Sequence, residues 1–142
     1  MVVTFCGHRS IYYQDREVIK KRLFEELENL IKQGATEFLL GGYGSFDILC
    51  AHIVDALKLK YPHIKSILVI PYLNREYDTR LYDCTEYPPI EKTPLKFAIS
   101  RRNEYMVNKA DVVISYVDHS WGGAATTLDY ARRKKKHIIS VI

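Results

Sequence analysis

Short apolar runs alternate along this chain with longer stretches in which apolar and polar positions are mixed. MVVTFC opens it as a run too short for a helix, stopped by Gly7. In DREVIKKRLFEELENLIKQG, residues 15–34, the apolar positions Val18, Ile19, Leu23, Leu27, Leu30 and Ile31 share one helix face. Gly34 stands where a helix C-terminus favours a left-handed residue. TEFLLGG (36–42) reads as a strand. SFDILCAHIVDALKLKYP (45–62) reads as a helix with Ile48, Leu49, His52, Ile53, Ala56 and Leu57 inward, ending before Pro62. The same reasoning gives strands in KSILVIPYL (65–73), DVVISYV (111–117) and HIISVI (137–142). Helices follow in PLKFAISRRNEYMVNKA (94–110) and GAATTLDYARRKK (123–135).

Short strands alternating with helices predict a parallel sheet covered on both sides. With right-handed crossovers the expected fold class is α/β. The expected architecture is a single Rossmann-like domain over residues 1–142, built on a doubly wound, five-stranded parallel sheet with helices on both faces. The irregular stretch YLNREYDTRLYDCTEYPPIEKT, about residues 72–93, is too long for a passive connection and reads as a lid or an interface. Tyr72, Tyr77, Tyr82 and Tyr87 recur through it with Arg75 and Arg80 between them. Such residues stack on a base and hold a phosphate, or they pack the loop onto the body or a second subunit.

Composition narrows the function. The 142 residues are 47% apolar and 27% charged, an ordinary globular balance. The net charge of +4 owes much to the run RRKKK at 132–136, where cations complement a helix C-terminus. No basic stripe runs along the chain, which argues against a nucleic-acid partner. Cys6, Cys50 and Cys84 are widely separated, without CxxC or metal-ligand spacing. They read as reduced thiols of a cytoplasmic protein with no metal and no cofactor. No apolar stretch reaches membrane-span length and the N-terminus lacks a signal-peptide core, so no membrane association is expected.

The chemistry concentrates in glycine turns. One strand ends in FCGHRS, the next in LLGGYGSFD, and the fourth leads through DHSWGGAATT. Ligands of open parallel sheets bind outside the carboxyl ends of the strands. There glycine lets backbone N–H groups approach a phosphate, and a helix N-terminus favours an anion. The candidate ligand-binding residues are therefore Gly7, His8 and Arg9; Gly41, Gly42, Gly44 and Ser45; and Gly122, Gly123, Thr126 and Thr127. Arg102 and Asn103, in the helix leading into the site, join them as phosphate or ribose contacts. Trp121 has two readings, a ring for stacking on a base or a loop residue sealing a dimer contact. Neither GxxxxGK[ST] nor GxGxxG occurs, which argues against a P-loop NTPase or a dinucleotide dehydrogenase.

The segments VTFCGHR, LLGGYGSFD, RRNEYMVNKAD and GGAATTLDYA together resemble the SLOG superfamily, which joins Smf/DprA proteins to LOG phosphoribohydrolases. The small bacterial branch with an early GHR and a later RN is the most similar in layout. The resemblance implies a nucleotide or nucleotide-derived ligand, held by a sensor or sequestering module, and self-association as a homodimer or higher homo-oligomer. Its LOG side implies an alternative: hydrolysis of the N-glycosidic bond of a nucleoside 5′-monophosphate. Arg102 and Met106 match that group's RxxxM, and Gly122, Gly123 and Thr126 match its PGGxGTxxE. Trp121 replaces the proline, Ala125 the third glycine, and Asp129 the catalytic glutamate. The catalytic candidates on this alternative are Arg102 and Asp129, the latter stabilising an oxocarbenium-like sugar. The Smf/DprA side implies a weaker alternative, a DNA-associated protein.

Overall fold

A computed structural model describes residues 1–142. Its strands are β1 (Val2–Gly7), β2 (Glu37–Leu40), β3 (Lys65–Val69), β4 (Cys84–Glu86), β5 (Val112–Tyr116) and β6 (His137–Ser140). Its helices are α1 (Arg16–Lys32), α2 (Gly44–Leu57), α3 (Ala98–Lys109) and α4 (Gly123–Arg133). All strand pairings are parallel, in the order β4-β3-β2-β1-β5-β6. The chain therefore builds outward from β1 in one direction, then returns to lay β5 on its other side. The β1–β5 seam is the switch point, where the crossovers diverge and leave a crevice beyond the strand ends.

Alternation along the strands separates two cores. Val3, Phe5, Phe38, Leu40, Ile114 and Tyr116 face α1 and α2, where Leu23, Leu27, Leu49 and Val54 meet them. From the opposite sheet face, Cys6 and Val113 pack on Val107 of α3 and on Leu128 and Ala131 of α4. Leu39, Ile67 and Val69 pack on Met106 of α3. The Rossmann-like α/β domain with helices on both faces is thus observed.

Three expectations are corrected. The sheet has six strands, not five, because the 72–93 segment contains β4, which pairs with β3 from Ile67↔Cys84 to Val69↔Glu86. Three residues, Cys-Thr-Glu, on an edge whose faces are mostly uncovered carry no apolar signature. On α2 the inward stripe is Phe46, Leu49, Cys50, Ile53, Val54 and Leu57. It is rotated by about one position from the expected face, which leaves Ile48, His52 and Ala56 exposed. The rotation seats the Phe46 ring, wholly buried, against Tyr116 at 5.5 Å between centroids. On α1, Val18 is likewise exposed, while Ile19 begins the buried face. No helix is long and apolar enough to cross a membrane.

Candidate functional site

A cleft of about 740 Å³ opens at the carboxyl ends of β1, β2 and β5. Gly7, His8 and Arg9 line it from the end of β1, Gly41 from β2, and Gly122, Gly123 and Thr127 from the start of α4. Arg102 and Asn103 enter from α3. The fold thus brings residues from all three glycine turns to one cavity.

The turns differ in what they offer. At the second, the N–H groups of Gly41 (2.8 Å), Gly42 and Tyr43 (3.3 Å) donate to Oδ2 of Asp47, one turn into α2. These donors, which a phosphate would otherwise use, are occupied by the protein's own carboxylate. Burial raises the Asp47 pKa, opposed by the Arg102 charge and the three N–H groups. Gly42, Gly44 and Ser45 lie outside the cleft lining, and Gly44 and Ser45 pack on the loop after β1. The Ser45 N–H and Oγ donate to the Arg9 carbonyl at 2.8 and 3.0 Å, and Ser45 Oγ accepts the Ile11 N–H at 3.0 Å.

The third turn is open. Gly122, with φ +92°, adopts a backbone conformation that favours glycine, and α4 begins with no side-chain cap. The first N–H groups of a helix have no intrahelical acceptor, and here they sit at the cleft. The threonine hydroxyls bond back into their own helix: Thr126 Oγ1 donates to Gly122 O at 3.1 Å and Thr127 Oγ1 to Gly123 O at 2.9 Å. Thr127 borders the cavity, whereas Thr126 is exposed outside its lining. Asp129 also lies outside the lining, 64% exposed at its side chain and paired with Arg132 at 3.1 Å.

Arg102 is the most constrained charge. It is only 2% exposed. Its Nη1 donates to the carbonyls of Gly41 (3.0 Å) and Val69 (2.8 Å), and its Nε to Asn103 Oδ1 (3.0 Å). Nη2 makes no protein hydrogen bond, yet no buried polar side-chain atom of the chain is unsatisfied, so Nη2 is open to the cleft. Burial pulls the Arg102 pKa below its ordinary value, and Asp47 opposes that pull. Met106, one turn on, is buried on the same helix face.

Several lining residues were not among the sequence candidates. Asp47 follows GGYG at the spacing of a helix-start acid, which is a readable signal. Arg75, by contrast one of the loop arginines read from the sequence, reaches the cleft from the 72–93 segment, its guanidinium 3.9 Å from the Tyr72 ring centroid. Asp118 and His119, in the loop after β5, meet His8 through the β1–β5 pairing alone. Cys6 is buried, and burial pushes its thiol up to about 12, so it is no nucleophile at neutral pH.

The chain is similar to several known proteins. The SPbeta prophage-derived protein YoqJ of Bacillus subtilis is 27% identical over 140 residues, covering 81% of each chain. A UPF0398 protein of Halalkalibacterium halodurans is 27% identical over 143 residues, 92% of this chain and 73% of its own. In solved structures, DNA processing protein A of Helicobacter pylori, described for its single-stranded DNA binding mode, superposes with a TM-score of 0.68. That match is 20% identical and covers 99% of this chain but 64% of the Helicobacter protein, so it speaks for the fold alone. The sequence pattern of the YspA SLOG family matches residues 11–139, nearly the whole length; the chain belongs to the YspA SLOG family.

Proposed function

We propose that this chain binds a nucleotide, or a small molecule derived from one, in the cleft at the β1–β5 switch point, as a sensor or sequestering module. The observation that carries this reading is Arg102. A guanidinium 2% exposed, fixed by three protein hydrogen bonds and lining the same cleft as an uncapped helix start, suits a phosphate. A cavity of about 740 Å³ lies within the usual range of small-molecule sites, roughly 300–1,000 Å³. Gly7, His8, Arg9, Asn103, Gly122, Gly123 and Thr127 complete the proposed contact set. Gly41, Gly42, Gly44 and Ser45 support it by holding the two neighbouring loops.

The position of Asp129 favours binding without turnover. A carboxylate that stabilises a ribosyl cation must lie against the sugar, and Asp129 is turned to solvent beside Arg132. A second reading comes from the DNA processing protein, whose fold this chain shares. Exposed Arg9 and Arg75 at the rim are compatible with a strand of nucleic acid, so DNA stays a candidate partner. Cytoplasmic location and assembly as a homodimer or higher homo-oligomer belong to the same proposal.

The test is mass spectrometry of bound and free fractions after incubation with nucleoside monophosphates, ADP-ribose and cyclic nucleotides. An intact nucleotide should be retained by wild type and by Asp129→Asn. Arg102→Ala should weaken retention by roughly 10- to 150-fold, the value of one charge-assisted hydrogen bond. Release of free base, lost in Asp129→Asn, would replace this reading with the glycosidase. Retention of an oligonucleotide with steep salt dependence, and of no mononucleotide, would replace it with the DNA reading.

A further inference from the structure

The cleft mouth carries a column of aromatic rings. The His8 and His119 rings lie 3.6 Å apart between centroids with planes 13° apart, and His119 and Trp121 lie 3.8 Å apart at 19°. His8 also meets the buried Tyr116 ring edge-on at 5.9 Å, which ties the column to the end of β5. Hydrogen bonds fix its members. His8 Nε2 accepts the Asp118 N–H at 2.8 Å, and His119 Nδ1 lies 3.0 Å from the Trp121 carbonyl, where an N–H at that nitrogen donates to it. Trp121 ends the column. One indole face covers His119, while the residue is 69% exposed and lines the cleft.

His8, Asp118 and His119 also bring three ligand-type atoms within 4.8 Å of one another. The stack opposes their use as a chelate. Nearly parallel imidazoles 3.6 Å apart hold their lone pairs in separate, nearly parallel planes. A metal bonded to both at about 2.0–2.1 Å would lie far out of each ring plane. The His8 Nε2 lone pair is in addition engaged by the Asp118 N–H. The geometry is that of a stacking column and not of a metal centre.

An ordered column with an open terminal face takes a further flat ring at little cost in lost side-chain freedom, because Trp121 is already oriented. Its neighbour in sequence is Gly122, and Gly123 opens the α4 start that faces the cleft. Trp121, the α4 start and Arg102 line one cleft, so a ring on the indole and a phosphate at the helix start fit a single ligand. We infer that Trp121 determines specificity in this cleft, its open face stacking the base of a nucleotide whose phosphate occupies the α4 and Arg102 site. This rests on the nucleotide reading above and adds a preference for a nucleotide over a sugar phosphate with no base.

Trp121 is the protein's single tryptophan, so its fluorescence reports on this face alone. Wild type would be titrated with AMP, UMP and ribose 5-phosphate, followed by calorimetry and by intrinsic fluorescence. Calorimetry would be repeated on Trp121→Ala and Trp121→Phe, with thermal melts to confirm folding. AMP should quench the fluorescence and bind roughly 5- to 150-fold more tightly than ribose 5-phosphate, the range of one base–aromatic stack. Trp121→Ala should bring AMP down toward ribose 5-phosphate, and Trp121→Phe should restore part of the difference. Equal binding of AMP and ribose 5-phosphate with unquenched fluorescence would overturn the stacking inference and leave the phosphate site standing. Failure of all three probes to bind would overturn both. Fluorescence that changes with protein concentration and not with AMP would assign the indole face to a second copy of the chain, and the inference would fall.

Discussion

Gly7 sits where a phosphate-approach glycine is expected, but its surroundings give it a different necessity. A Cβ built there would lie 2.1 Å from Cδ2, 2.5 Å from Cγ and 2.8 Å from Cε2 of Phe46. Carbon atoms in contact prefer about 3.5–4.0 Å, so the ring would have to retreat by about 1.5 Å. Phe46 is wholly buried and stacked on Tyr116, so it has no free space in which to do so. Overpacking of this kind costs about 1–3 kcal/mol. The depth of the overlap puts Gly7→Ala at the upper end, offset by about 0.4–1 kcal/mol because alanine restricts the unfolded chain. The expected net loss is about 2 kcal/mol, or a fall in Tm of roughly 6–10 °C for a chain of this size. Urea unfolding of Gly7→Ala, Phe46→Leu and the double variant measures it. The double variant should be more stable than the sum of the singles by about 1–3 kcal/mol, since the smaller side chain makes room for the methyl group. A Gly7→Ala protein within about 0.5 kcal/mol of wild type, or strict additivity, would refute the packing account.

Three further outcomes follow from the same geometry. Asp47→Ala should lower stability by about 1–3 kcal/mol in urea unfolding, because it leaves the N–H groups of Gly41, Gly42 and Tyr43 without their acceptor. Burial, and then His119, hold the His8 pKa below its usual 6.5, with Asp118 opposing. The unfolded chain therefore takes up this proton first, and stability falls as pH drops below 6.5 until folded His8 also protonates; His8→Asn should flatten that window in denaturation curves from pH 7.5 to 5. Iodoacetamide at pH 8 should label exposed Cys84 rapidly in the native protein, and leave buried Cys6 and Cys50 unmodified until urea is added.

Sequence patterning alone determined the α/β class, the strand–helix order and the glycine turns at the strand ends, because each rests on local rules of spacing and capping. Arg102 and Asn103 were legible through the RRNEYM segment, and Gly122 and Gly123 through the glycine pair that opens α4. What a sequence cannot carry is pairing between distant segments. The edge strand β4 is three residues whose partner is β3, and nothing in Cys-Thr-Glu specifies that pairing. The one-position rotation of α2 followed from seating Phe46 under Tyr116, a contact between residues 70 positions apart. The glycine turns looked alike as sequence. Only the fold decided that Asp47 fills one, that Phe46 crowds another, and that the α4 start is open. The column of His8, His119 and Trp121 exists because the parallel β1–β5 register brings Gly7 beside Tyr116, which sets the loops after both strands against each other at the mouth of the cleft.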